Sequence, residues 1–136
     1  MKKIFLDTNA LLDYYLNRPG ADAVEKIFIL ANAKKVSLFA STLTFANFAY
    51  VIKREHSKDE LYTILNEVEK RINALPMDKS QLRKSINHPC KDFEDMLQYQ
   101  CAVAGGCEVI VTNNKKDFVD FSTLPLFTAV EFIETL

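Results

Sequence analysis

The apolar run Ile4-Phe5-Leu6 stops abruptly on Asp7-Thr8-Asn9. Segments that are apolar on both faces form strands buried within parallel sheets. Val36 to Ala40, Cys107 to Thr112 and Leu124 to Phe127 have the same character, and each predicts a short strand. Ile72 to Met77 predicts a fifth, which Pro76 must terminate because proline lacks a backbone donor.

Between these runs the apolar positions recur at helical spacing. Asn9 to Leu16 predicts a short helix closed by the turn residues Asn17-Arg18-Pro19-Gly20. From Ala21 to about Lys35, Ala23, Val24, Ile27, Phe28, Leu30 and Ala31 lie on one side, with Glu25, Lys26 and Lys34 on the other. Ser41-Thr42 opens a helix carrying Phe45, Phe48, Ala49 and Ile52, which ends near Lys53-Arg54-Glu55-His56. Ser57 with Glu60 forms a capping box for a helix to about Arg71, expected to pair antiparallel with its predecessor. Asp78 or Ser80 starts a helix to Asn87. Asp92 starts another, with Phe93, Met96, Leu97, Cys101 and Ala104 as its expected buried stripe and Gly105-Gly106 as its stop. Val130 to Leu136 predicts a terminal helix.

Strands alternating with helices argue for an α/β fold: a single three-layer α/β/α domain over residues 1–136 with a mainly parallel central sheet. Ligands of such folds gather at the carboxyl ends of the strands.

Composition changes this picture little. The 136 residues are 49% hydrophobic and 26% charged, with three Gly and four Pro, as in a compact globule. The 17 basic and 18 acidic residues give a net charge of -1, so any hold on nucleic acid must come from local clustering. Cys90, Cys101 and Cys107 are odd in number and lack Cys-x-x-Cys spacing, and His56 and His88 do not complete a zinc pattern. Free thiols in a reducing cytoplasm are expected. Asp7 breaks the apolar run after Met1-Lys2-Lys3, so no signal peptide is expected, and no segment reaches the ~20 apolar residues of a membrane helix.

The candidate chemistry lies in the acids. Asp7 follows the first strand, Asp92 and Asp95 open a helix, and Asp117 lies in the polar loop after Thr112. Asp7 also suits an N-cap, Asp92 reads better as a cap than as a reactive group, and Glu94 reads as a solvated helix flank. Asp95 shares a face with Gln98, Tyr99 and Ala102, opposite Phe93, Leu97 and Cys101, and is therefore expected to point into a cleft. Converging carboxylates repel one another unless a cation neutralises them, and hard oxygen donors select Mg²⁺ or Mn²⁺. Such a centre suits phosphodiester hydrolysis.

Phe5-Leu6-Asp7-Thr8-Asn9 with Leu11-Leu12-Asp13, Glu94-Asp95-Met96-Leu97 with Ala102, and Val109 to Phe118 together resemble the motifs of the PIN-domain family, the nuclease domain of VapC-type toxins. The resemblance implies a PIN-like fold and a metal-dependent endoribonuclease acting on RNA. It also implies a toxin with a cognate antitoxin that blocks the cleft. Asp7 and Asp95 would be metal ligands, with Asp117 contributing directly or through water. Thr112 and Asn114 would support them, and Thr8 or Asn9 would orient Asp7.

One position departs from the pattern. Where the family usually carries an acid, most often Glu, this chain has Asn47. An amide oxygen can bind Mg²⁺, but it brings no charge and cannot act as a general base. Asp92, one turn before Asp95, is the candidate to restore that charge. The rival reading is a PIN-like module with weak or lost nuclease activity that binds RNA or protein. Haloacid-dehalogenase chemistry fits poorly, because Asn9 stands where its second Asp would be. A phospho-receiver would need an acid pair and a late Lys that are not convincingly present.

For substrate grip, Lys53, Arg54, His56, Lys58, Lys115 and Lys116 are candidates to meet phosphates, and Tyr14, Tyr15, Tyr50 and Tyr99 to stack on bases. The apolar face of the helix pair from Phe45 to Leu65 is a candidate partner or homodimer surface.

Overall fold

A computed structural model describes all 136 residues. The chain runs β1 (Lys2–Leu6), α1 (Thr8–Tyr15), α2 (Ala21–Asn32), β2 (Val36–Ser41), α3 (Thr42–Ile52), α4 (Lys58–Arg71), β3 (Asn73–Leu75) and α5 (Lys79–Ile86). It continues through α6 (Phe93–Ala104), β4 (Val109–Val111), a 3₁₀ turn (Lys115–Asp117), β5 (Leu126–Phe127) and α7 (Ala129–Glu134). Every strand pairing is parallel, in the order β3-β2-β1-β4-β5.

The side-chain alternation of β1 explains the layers. Ile4 and Leu6 join Leu38, Ala40, Val109 and Val111 on one face of the sheet, under apolar residues of α1, α2, α3, α4 and α7. Phe5 and Ile110 point to the other face, where Met96, Tyr99, Cys101, Ala102 and Phe118 cover them. Phe5 is fully buried, worth roughly 2–3 kcal/mol. The result is the three-layer α/β/α arrangement, with a sheet that is wholly parallel.

Three capping boxes hold helix starts by reciprocal bonds, Ser57 with Glu60 in α4, Asp78 with Gln81 in α5 and Thr128 with Glu131 in α7. Gly105, just past α6, packs tightly on β3: a Cβ there would lie 2.5 Å from Leu75 Cδ1, so the leucine would have to move. No helix is long and apolar enough to cross a membrane.

The buried face of α6 differs from the expected stripe. Met96, Gln98, Tyr99, Cys101 and Ala102 are buried, while Phe93 is 48% exposed and Ala104 lies at the surface. The cause is Gln98, a polar residue that reads as outward but is 2% exposed because other side chains satisfy its amide. The face shared with Asp95 is therefore largely a packing face.

Candidate metal centre

The chain winds outward from β1 through β2 to β3, then returns to place β4 and β5 on the other side of β1. The crevice between the carboxyl ends of β1 and β4 is thus the switch point of the sheet. Asp7 follows β1 there, and Thr112 follows β4. The Asp7 backbone N–H donates to the Val111 carbonyl at 2.9 Å, extending the ladder to the acid itself.

Both Asp7 carboxylate oxygens are held. One accepts the Thr8 backbone N–H at 2.9 Å, which makes Asp7 the N-cap of α1, and the other accepts the Thr112 hydroxyl at 2.9 Å. The capping and site readings of Asp7 are therefore the same geometry. Thr112 Oγ1 in turn accepts the Asn114 backbone N–H at 3.0 Å, so Asn114 contributes through its main chain. Thr8 orients Asp7 through its own backbone, and Asn9 is not among the partners of the carboxylate.

Asp92 is the N-cap of α6, accepting the backbone N–H groups of Glu94 and Asp95 at 2.9 and 3.2 Å. Burial, followed by the charges of Asp92, Asp117, Asp7 and Glu94, pushes the Asp95 carboxyl up to about 7. Burial also raises Asp7, against the lowering effect of its bonds to Thr112 and Thr8, and Asp117 and Glu94 raise it further. These five acids share one neighbourhood. The ion pairs of the chain are Arg18–Asp13, Arg71–Glu67 and Lys115–Glu131, so none neutralises the five. The donor set is all oxygen and strongly anionic, which fits a hard divalent cation. No three of the acids are gathered tightly enough to enclose an ion as they stand.

Beside the acids a cleft of about 360 Å³ is lined by Asp92, Asp95, Asp117, Lys91, Lys116 and Phe121, among others. Asn47 does not stand alone: its amide Nδ2 donates to Glu94 Oε1 at 2.6 Å, joining α3 to α6.

Beneath the acids lies a neutral cluster. Ser41 Oγ donates to Gln98 Oε1 at 2.6 Å, Gln98 Nε2 donates to Thr44 Oγ1 at 3.0 Å, and Thr8 Oγ1 donates to Thr44 Oγ1 at 3.3 Å. Ser41, Thr44 and Gln98 are buried. Three members sit beside or one turn from a candidate site residue: Thr8 by Asp7, Thr44 by Asn47, Gln98 by Asp95. The cluster fixes α1, α3 and α6 against one another.

Among the expected phosphate contacts, Lys116 lines the cleft, whereas Lys115 is paired to Glu131 at 2.8 Å and lines a separate hollow with Leu126 and Phe127. Lys53 and Arg54 rest on the exposed Tyr50 ring, 4.9 and 5.0 Å from its centroid. His56 Nδ1 lies 3.0 Å from the Ile52 carbonyl at the end of α3, and Lys58 is exposed at the start of α4. Of the four tyrosines offered for stacking, three pack internally. Tyr14 meets Phe28, Tyr15 meets Phe48, and Tyr99 meets Phe121 edge-on. An apolar hollow between α3 and α4 is lined by Phe45, Ala46, Ala49, Tyr62 and Leu65.

A PIN domain model matches residues 3–116, most of the chain. The chain belongs to the PIN-domain family. It is 30% identical over 140 residues to "Ribonuclease VapC1" of Aquifex aeolicus (strain VF5), covering 98% of this chain and 94% of that relative. Among solved structures, VapBC-1 from nontypeable Haemophilus influenzae superposes with a TM-score of 0.69 at 19% identity, covering 94% of this chain and 98% of that one. VapBC2 from Rickettsia felis, solved with a DNA fragment from its promoter, gives 0.70 at 21% identity, covering 93% and 98%. These likenesses place the PIN fold.

In the sequence Glu94 reads as a solvated flank, Gln98 as part of the outward face shared with Asp95, and Lys91 carries no signal. Glu94 was legible only as the neighbour of Asp95. Lys91 precedes the N-cap Asp92, and nothing in the sequence ties it to Lys116 across the cleft.

Proposed function

We propose that this chain is a Mg²⁺- or Mn²⁺-dependent endoribonuclease, acting as the toxin of a toxin–antitoxin pair in the cytoplasm. The observation that carries the reading is the set of acids at the β1/β4 crevice with no cationic partner. Asp7, Asp95 and Asp117 would hold the metal. When bound, such a metal acidifies water and stabilises charge on the phosphodiester. The residues of the chain do the rest. Thr8 and Thr112 keep both oxygens of Asp7 oriented, and the N-cap Asp92 fixes the first turn of α6 and so the position of Asp95. Lys91 and Lys116 are placed to meet backbone phosphates entering the cleft. Lys53 and Arg54, packed on Tyr50, offer a second basic patch.

The Aquifex relative, named a ribonuclease, supports RNA as the substrate. The VapBC assemblies among the solved structures support an antitoxin protein as partner, and with it a homodimer. A second reading, an RNA- or protein-binding module that has lost hydrolysis, has one feature in its favour: Asn47 puts an uncharged amide beside the acids.

The test is cleavage of labelled single-stranded and structured RNAs with Mg²⁺, with Mn²⁺ and with EDTA, by wild type, Asp7→Asn and Asp95→Asn. Metal-dependent cleavage lost in both variants is expected. A well-folded wild type that binds RNA but cleaves none of it under either metal would overturn the nuclease and leave the binding module.

A further inference from the structure

We propose that Phe121 is the base-stacking residue of the cleft, a specificity-determining side chain that takes the flat face of one unpaired nucleobase. This role rests on the RNA site proposed above and supplies the residue that holds the base.

The rest of the lining is built for charge. Asp92, Asp95 and Asp117 belong to the acidic set, and Lys91 and Lys116 enter from the segment before α6 and from the 3₁₀ turn. Neither lysine forms an ion pair, although carboxylates line the same cleft. Both are exposed and free to meet phosphates from outside the chain. Phe121 is the one aromatic side chain among these groups. Acids and water offer a phenyl ring no favourable contact, whereas any base that reaches it can stack, because every base has a π-face.

Phe121 does more than fill the core. Phe118, one turn earlier, is fully buried, and Phe121 is only partly so. The Phe121 ring lies 5.2 Å from Tyr99 and 5.9 Å from Phe118 between centroids, both edge-to-face, so neither neighbour is stacked parallel on it. Its backbone is fixed on both sides. The Phe121 and Ser122 N–H groups donate to the Phe118 carbonyl at 3.2 and 2.9 Å. The Thr123 N–H donates to the Tyr99 hydroxyl at 3.1 Å, and the Tyr99 and Thr123 hydroxyls lie 3.0 Å apart. Tyr99 is buried on α6, one turn after Asp95. One helix therefore carries both an acid of the candidate centre and the support of the ring. A platform ordered in the free chain loses little entropy on binding.

Size and exposure select the ligand. At about 360 Å³ the cleft is near the lower end of small-molecule sites, the scale of one nucleotide and not of a base pair. A base inside a duplex has both faces covered by its neighbours, so only an unpaired or splayed-out base can use the ring.

The experiment follows short single-stranded oligoribonucleotides in which one position at a time is abasic. Binding is read by fluorescence anisotropy with Ca²⁺, and cleavage with Mn²⁺. The proteins are wild type, Phe121→Leu and Phe121→Trp, each checked by circular dichroism. Leucine keeps apolar packing against Tyr99 but has no π-face. In wild type an abasic site at one position should weaken binding about tenfold, the scale of one stacked base. Phe121→Leu should bind the intact oligomer about tenfold more weakly and the abasic one as wild type does, the signature of ring and base acting as a pair. In cleavage the loss should fall on KM more than on kcat. The chain has no tryptophan, so Phe121→Trp places a single one in the cleft. It should keep the abasic penalty, and its fluorescence should be quenched by the intact oligomer and not by the one abasic at that position.

An abasic penalty undiminished in Phe121→Leu, or absent from wild type at every position, would overturn the role of Phe121 and leave metal-dependent cleavage standing. If Phe121→Leu does not fold, the tryptophan decides, and fluorescence unchanged by bound RNA overturns the role. RNA bound with the expected penalty but never cut would overturn the nuclease and leave Phe121 as the base platform of a binding module. A wild type that binds no RNA would overturn both.

Discussion

Two polar assemblies lie one helical turn apart, and they are built on opposite terms. The lower one, Ser41, Thr44, Gln98 and Thr8, is neutral and hydrogen-bonded throughout, and the chain has no buried side-chain polar atom without a partner. The upper one, Asp7, Glu94, Asp95 and Asp117 with Asp92 beside them, is a set of like charges that raise the pKa of Asp7 and Asp95. α6 contributes to both, Gln98 below and Glu94 and Asp95 above, while Asp7 caps α1 and Asp117 ends the 3₁₀ turn after β4. A satisfied polar layer rigidifies the helices, and a rigid support lets the layer above keep a mutual repulsion that it would otherwise relax. In the free chain the acids thus hold a mutual repulsion that the cation of the proposed metal centre would relieve.

Breaking the upper layer should cost function and spare the fold. Asp7→Asn or Asp95→Asn is expected to lower RNA cleavage by more than about 100-fold, since even outer partners of metal ligands cost 10- to 100-fold. The circular dichroism spectrum should be unchanged.

Breaking the lower layer should cost the fold first and function through it. Gln98→Leu removes two buried hydrogen bonds and leaves Ser41 and Thr44 only each other and Thr8, a loss of about 1–3 kcal/mol in urea denaturation. Metal affinity should fall with it, because Asp95 and Asn47 lose their common support.

The sharpest contrast is in pH. Asp95 ionises near pH 7 in the folded chain against 3.8 when unperturbed, so the folded state holds its proton more tightly. Its contribution to metal-free stability is complete below pH 4 and is lost as pH rises through about 7. Asp95→Asn removes that loss. In EDTA the variant should match wild type below pH 4 and exceed it by about 1 kcal/mol at pH 8, after allowance for solvent screening of a half-exposed group.

The smallest effect concerns the packing under the second sheet face. Burial pushes the Cys101 and Cys107 thiols up to about 11 and about 12, whereas Cys90 is exposed. In a disulfide-exchange assay at pH 8, Cys90 should react promptly and the other two only after denaturation.

The lower layer was the part of the molecule hardest to see in the sequence. β1 and Asp7 were legible because an apolar run ending on an acid is a local pattern, and α4 because its capping box lies within four residues. Gln98 was misassigned because helical periodicity counts a glutamine as outward, while its partners are 57 and 54 residues away. Glu94 was set aside for the same reason, since Asn47 lies 47 residues upstream. Lys115 was read with the basic residues of the cleft, yet it finds Glu131 on α7. Asp7, Asp95 and Asp117 were each placed by a local signal. Their shared neighbourhood depends on the strand order around β1, which neither periodicity nor composition encodes.

The most direct measurement pairs stability with cleavage in one variant: urea denaturation of Asp95→Asn in EDTA at pH 8, beside its RNA cleavage with Mn²⁺. A more stable protein that no longer cleaves is the expected result. A variant that is less stable than wild type, or that still cleaves, would show that the acids at the β1/β4 crevice are structural and that the chemistry lies elsewhere.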